Sequence, residues 1–176
     1  MAILRPSSGS GQAAAPRPGT RLLTAAVDVQ TAAETAFSLL CAIEKWPVWL
    51  GFLRRAVLVD APRPLGIGSE IRLSSTIPGH EEQLFEVDHF IMNYQLSLVG
   101  AFSVRRRLDF RVERKTTRCK VHVRLEYPAY GGKLGVLYDG LRAARKLGAQ
   151  LEESLLHFKH LAEYQPVEKD ELLADF

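Results

Sequence analysis

Cysteine is scarce: Cys41 and Cys119 are the only two in the chain. That excludes a small scaffold stapled by several disulfides. Neither cysteine has a histidine at metal-ligand spacing. Cys41 sits in an apolar helical pattern and Cys119 in an alternating one, so both read as small buried hydrophobes. The five histidines, His80, His89, His122, His157 and His160, form no metal spacing either; no metal is expected. Long apolar runs are absent as well. None reaches the roughly 20 residues that a membrane-spanning helix needs. The chain opens Met1-Ala-Ile-Leu-Arg-Pro6 and then turns to Ser, Gly, Ala and Pro, without the apolar centre of a secretory signal. A cytoplasmic protein is the simplest expectation. Also missing are a Gly-rich phosphate loop, paired carboxylates in an apolar setting, and a nucleophile beside a base. No cofactor and no Ser-His-Asp chemistry are expected.

What is present is an ordinary globular composition, with 47% hydrophobic and 24% charged residues. A chain of 176 residues suits one domain with a proper core. Residues 1–20 are rich in Gly, Ser, Ala and Pro and show no periodicity; they read as a disordered leader. Residues 21–164 form the folded domain. Residues 165–176 carry Glu168, Asp170, Glu171 and Asp175 against Lys169 and read as an acidic tail. The net charge of +3 is uneven, because residues 101–125 hold nine Lys/Arg against only Asp109 and Glu113.

Periodicity orders the elements. Residues 21–29 read as a strand. Thr31 with Glu34 makes a capping box for a helix through Ala33, Ala36, Phe37, Leu40 and Cys41. That helix is expected to end near Trp46, before Pro47, and Val48–Leu53 to form a second short helix. Alternating segments follow at Arg55–Asp60, Ser69–Ile77, Glu82–Phe90, Tyr94–Val99, Phe102–Glu113 and Thr117–Tyr127, separated by turn residues. From Lys133 to Tyr164 apolar residues recur every three or four positions, including Leu134, Leu137, Tyr138, Leu141, Leu151, Leu155 and Phe158. That is one apolar stripe on a long helix. Successive strands with short links pair antiparallel, and the helix stripe needs a sheet to cover. The fold class is therefore α+β. A curved antiparallel sheet wraps around a long C-terminal helix and encloses an apolar cavity, with two short helices after the first strand.

Alternation also sorts the side chains. In the Phe102–Glu113 segment one face holds Phe102, Val104, Arg106, Leu108, Phe110 and Val112. Arg106 is its one charged residue, and burying a lone charge is costly. Either its head reaches water at a rim, or it anchors a ligand carboxylate or carbonyl through its fork of donors. Ser75 and Gln83 interrupt the otherwise apolar faces of their strands, near Phe85. Tyr94 leads Leu96 and Leu98. An apolar wall with a few polar groups fits both a small-molecule site and an ordinary core with satisfied hydroxyls. The opposite register, Arg105, Arg107, Arg111, Arg118, Lys120 and Arg124, makes a positive outer face. It reads as a solvated exterior, or as a patch for an anionic membrane surface or an acidic partner. It lacks the interleaved aromatics of single-strand binders, so no nucleic acid is expected.

The order of features resembles a known superfamily. A first strand ends Val27-Asp-Val29, and a helix Ala32-Ala-Glu-Thr-Ala-Phe-Ser-Leu-Leu40 follows. Then come Glu44-Lys-Trp-Pro-Val-Trp49, the strand Arg55-Ala-Val-Leu-Val59, the turn Leu65-Gly-Ile-Gly-Ser69 and a closing helix ending Leu155-Leu-His-Phe-Lys-His-Leu-Ala-Glu163. Across residues 21–164 this resembles the SRPBCC superfamily of START domains, birch-pollen-allergen-like proteins and polyketide cyclases/aromatases. The Trp-Pro-x-Trp stretch is most similar to the bacterial polyketide cyclase/dehydrase and lipid-transport branch. The Gly-Thr common before that family's last strand stands here as Lys115-Thr116-Thr117.

The resemblance implies a helix-grip fold with a pocket between sheet and helix. It implies binding or transport of an apolar small molecule, lipid-like or polyketide-like. Arg106, Tyr94, Gln83, Ser75, Trp49, Phe85, Phe110 and Tyr138 are the candidate ligand-binding residues, with Trp49 placed near the pocket entrance by the resemblance. A second reading is a polyketide cyclase/dehydratase acting on a poly-β-ketone or aromatic polyketide intermediate, in which Arg106 and Tyr94 polarise carbonyls. A third is an interaction module acting through the basic outer face. Sequence leaves the catalytic residues and the oligomeric state open.

Overall fold

The alternating stretch at the start of the domain becomes β1, Thr20–Val29. The computed structural model describes residues 20–59, 63–76, 81–101, 103–128 and 136–164, with the backbone alone at 103–105 and 136–143. The expected leader, apart from Thr20, and the expected acidic tail lie outside the described residues.

After β1 come α1 (Ala33–Cys41), a 3-10 turn (Ile43–Lys45) and α2 (Trp46–Trp49). Six more strands follow: β2 (Leu53–Leu58), β3 (Glu70–Ser75), β4 (Glu82–Ile91), β5 (Gln95–Gly100), β6 (Ser103–Arg114) and β7 (Cys119–Pro128). The chain then forms α3, Val136–Glu163. The seven strands make one antiparallel sheet in the order β1-β7-β6-β5-β4-β3-β2. The sheet curls into a half-barrel around the C-terminal helix, the helix-grip arrangement that the alternation and the apolar stripe predict.

The first two strands occupy opposite edges of the sheet. Residues 30–52 therefore cross from one edge to the other, and α1 and α2 fill the end of the trough that they cross. We refer to the end holding Val29, Arg114 and Cys119 as the lower end, and to that holding Thr20, Ser103 and Pro128 as the upper end; these residues terminate their strands.

Two helix starts differ from expectation. α1 has Ala32 at its N-cap, with no side-chain cap. Thr31 stands one residue too early to serve, and Glu34 instead pairs with Arg114 at the end of β6. Pro47 does not stop a helix; it occupies the first turn of α2, where a missing N–H costs nothing. Trp46 keeps helical geometry (φ −56°, ψ −40°) although a proline follows. Its indole, fully buried, is held by donating Nε1–H to the Leu40 carbonyl at 2.8 Å.

The apolar stripe of α3 buries Leu151, Leu155, Phe158 and Ala162. Ser154, also buried, ties the helix to the end of α2: its Oγ accepts from the Gly51 N–H at 3.1 Å and donates to the Gln150 carbonyl at 2.7 Å. Further up the helix, Gly148 lies on β1 with room for a side-chain carbon. A Cβ there would stand 3.9 Å from Leu23 Cδ2.

Candidate functional site: the concave face of the sheet

The inward register is set by the ladder β1–β7–β6. Leu23 faces Leu125, Ala25 faces Val123, Val27 faces Val121 and Val29 faces Cys119. Leu108, Phe110 and Val112 continue the same rows on β6. At the lower end the inward side chains of β6 and β7 are sealed, while Ala25 and Val27 on the edge strand β1 are partly exposed. Trp46, Trp49, Phe110 and Phe158 form a knot of edge-to-face rings with centroids 4.9 to 6.4 Å apart. Such geometry suits the ring quadrupoles and adds to the burial of each ring. Phe37 of α1 meets Phe90 of β4 beside it, at 5.7 Å.

Toward the upper end the same rows open. On β7, Cys119 and Val121 are 0% exposed and Val123 1%, but Leu125 and Tyr127 are partly exposed. On β6, Phe110 and Leu108 are buried and Arg106 is partly exposed; on β1, Val29 is buried and Leu23 is not. These are inward positions on a sheet packed by a helix, with β7 and β6 both interior strands. Exposure there means that the described residues leave these positions partly uncovered, although α3 still lies on β1 at Leu23.

Two slips in the ladders shape this face. Between Val99–Arg107 and Gly100–Ser103 the pairing of β5 with β6 jumps, so residues 104–106 lack a ladder partner on β5. Bulges re-aim side chains at sheet rims and beside binding sites, and this one carries Arg106. The other lies on β4 between Val87 and His89. It turns Phe90 inward and sends both Asp88 and His89 outward.

The sequence-derived candidates fall into separate groups. Ser75 and Phe85 are buried on β3 and β4, and Gln83 is partly buried beside Leu73. Ser75, Gln83 and Arg106 all have partners within the protein, the normal state of a polar group in a core. Trp49 and Phe110 have no exposed surface; they form the packed floor below the opening. The Trp49 Nε1–H has no hydrogen-bond acceptor among the described residues, and aromatic rings surround it. Tyr94 is not with Arg106. It sits in the lower-end turn between β4 and β5, is 45% exposed, and its carbonyl accepts from the Val112 N–H. Six residues of β6 separate that level from Arg106, roughly 20 Å of strand. The side chain of Tyr138 lies outside the described residues.

Sequence reasoning missed two residues at the opening, Arg21 and Tyr127. They are ladder partners in the inward rows of Leu23 and Leu125. Arg21 hydrogen-bonds the Tyr127 phenol; burial still raises the phenol's pKa above the ordinary tyrosine value, and Arg21 opposes that shift. The alternation held the signal, since Arg21 stands two positions before Leu23.

The outer face is less positive than its register implies. Arg107 bonds Asp88 at 2.8 Å and Asp109 at 2.9 Å. Burial works against its charge, but the two carboxylates outweigh that and raise its pKa. Arg124 lies 3.8 Å from Glu126, a buried carboxylate that also accepts from the Thr20 hydroxyl. His122 meets Glu113. Lys115 meets Asp28 and, chiefly through that hydrogen bond, holds its carboxyl below the usual range. Arg111 and Arg118 remain exposed; the side chain of Arg105 lies outside the described residues.

Among the described residues no group of three His, Cys, Asp or Glu could hold a metal, and no helix is long and apolar enough to cross a membrane. Both cysteines are free thiols. Burial pushes Cys41 up to about 11 and raises Cys119 as well, so neither is a ready nucleophile.

A curled seven-stranded sheet gripping a C-terminal helix defines a helix-grip domain of the START/SRPBCC superfamily. Solved structures agree. A START superfamily protein from Mycobacterium smegmatis matches with TM-score 0.61 at 19% identity, covering 81% of this chain and 97% of that one. The Zhui aromatase/cyclase from Streptomyces sp. R1128 matches with TM-score 0.61 at 12% identity, covering 82% and 94%. Norcoclaurine synthase from Thalictrum flavum, in complex with dopamine and hydroxybenzaldehyde, matches with TM-score 0.55 at 12% identity, covering 81% and 86%. At such identities the likeness carries the fold alone. The family is shown by sequence: the chain belongs to the polyketide cyclase / dehydrase and lipid transport family, whose model matches residues 20–163. No curated protein matches it.

Proposed function

We propose that the protein binds or carries an apolar small molecule, lipid-like or polyketide-like, between the concave face of its sheet and α3. One observation supports this above the others. Along the inward row of β7, exposure passes from none at Cys119 and Val121 to partial at Leu125 and Tyr127. An ordinary core would be sealed along its whole length. Apolar side chains left open on interior strands need a guest, because their hydration is unfavourable by about 25 cal/mol for each Å². In this reading Leu23, Leu108 and Leu125 touch the guest's apolar body, Phe85 and Gln83 flank it, and Arg106 stands at the mouth.

The test is direct. The protein is purified from its producing host without detergent and its organic extract is analysed by mass spectrometry. A stoichiometric apolar compound is the expected result. Protein that is repeatedly empty, and that binds neither fatty acids nor polyketide-like aromatics when offered, would overturn the proposal. A cyclase built on Arg106 together with Tyr94 gains no support, since those residues stand at opposite ends of the sheet.

A further inference from the structure

The inward rows of the sheet end at the mouth in three polar residues on three adjacent strands. Arg21 of β1 and Tyr127 of β7 are ladder partners. Arg106 of β6 comes one residue before the first β6–β7 pair, Arg107–Glu126, which puts it beside Tyr127 in the row. With strands roughly 4.8 Å apart, the three Cα atoms span about 10 Å. Arg21 donates to the Tyr127 phenol oxygen, so the phenol's own O–H is left to donate elsewhere. All three residues are partly exposed, unlike the sealed positions below them.

The rest of the inward register is apolar, apart from Ser75, Gln83 and, at the far lower end, Arg114. Among the described strand residues it contains no carboxylate; the acids of β6 and β7 (Asp109, Glu113, Glu126) all take the outward register. The two arginines do make contacts in the free protein. Even so, among the described residues the concave face of the sheet brings two positive charges and a phenol donor to its rim.

We propose that this rim takes the anionic head of an amphiphilic acid, a carboxylate or a phosphate monoester, whose apolar body enters the trough. The proposal rests on the function proposed above and specifies its ligand: an acid rather than a neutral sterol-like, alcohol or ketone compound. Two guanidinium forks and a phenol O–H supply only donors, and a charged acceptor makes the stronger hydrogen bonds with them. A neutral alcohol would bring a donor of its own to a rim already rich in donors.

The experiment titrates the purified full chain with decanoate, decyl phosphate and 1-decanol by isothermal calorimetry at low salt. At least ten-fold tighter binding of an acid than of the alcohol is expected. Arg106→Met and Arg21→Met should each remove most of that preference, and Tyr127→Phe about a factor of three. Arg111→Met, on the outer face, should leave it unchanged. The stronger of the two acids identifies the head group. Wild type is also titrated with decanoate from pH 4 to 8, which needs no variant to fold: affinity should fall as the acid is protonated, while that of the alcohol stays flat. Equal binding of acids and alcohol would overturn the head-group inference and leave the apolar trough standing. No binding of any of the three would overturn both. A preference for acids that survives both arginine substitutions would place the anion somewhere other than this rim.

Discussion

The two ends of the grip are built from the same strands and the same alternation, yet they do different things with them. At the lower end Phe110, Trp46, Trp49 and Phe158 spend their surface on one another. At the upper end Leu23, Leu125 and Tyr127 point the same way and remain partly open. The difference lies in what faces the sheet. Below, α1, α2 and the C-terminal half of α3 converge on it. Above, the helices α1 and α2 are absent. Stability is thus concentrated at one end, and the guest we propose would lie at the other.

The sharpest way to break this comparison is a pair of truncations. Phe158→Ala should cost about 3–5 kcal/mol, the usual range for a buried aromatic. Leu125→Ala should cost under about 1.5 kcal/mol, because its surroundings are already open. Urea denaturation of both variants measures the pair. Equal losses would mean that the upper end is a packed core like the lower.

Enlarging side chains probes the same contrast from the other side. Val123→Trp adds bulk where nothing is open and should destabilise by about 1–3 kcal/mol. Leu125→Trp, one inward position further up, should leave the melting temperature unchanged or higher and abolish binding of decanoate. Thermal melts with and without ligand read both effects.

Trp46→Phe tests the lower end alone. It strands the Leu40 carbonyl, which now accepts from the indole. A buried acceptor left unmade costs about 1–3 kcal/mol, so the melting temperature should fall while ligand affinity stays within a factor of two.

The smallest effect is a gain. Gly148→Ala places its Cβ 3.9 Å from Leu23 Cδ2, an ordinary contact. Removing a helical glycine should then stabilise by up to about 1 kcal/mol. A loss instead would show that α3 and β1 lie closer there than this contact allows.

Much of the architecture was legible before any coordinates. The seven alternating segments became seven strands within a few residues of the expected bounds, and the stripe over 133–164 became α3. The inward face of β6 was sorted correctly from Leu108, Phe110 and Val112. The candidate site was less legible. Trp49 was expected near an entrance and is fully buried in the ring cluster. Tyr94, paired with Arg106 only in the cyclase reading, lies at the other end of the sheet. Arg21 and Tyr127 went unassigned although their register was readable.

What the chain alone determined follows from local geometry. A strand's side chains alternate whatever it pairs with, and a helix's apolar stripe recurs every three or four residues. Those rules act within one segment, so composition, element order and the in-or-out sense of regular strands could be read directly. The tertiary structure decided the rest. A bulge belongs to a pair of strands, so the slip that brings Phe90 inward on β4 and the one beside Arg106 on β6 could not be read from either strand alone. The same holds for the charges: Arg107 is neutralised by Asp88 because the β4 bulge turns that acid outward. Burial, too, depends on what covers a face as well as on which face a residue takes. Val123 and Leu125 share one strand and one register; the elements packed opposite buried one of them and left the other partly open.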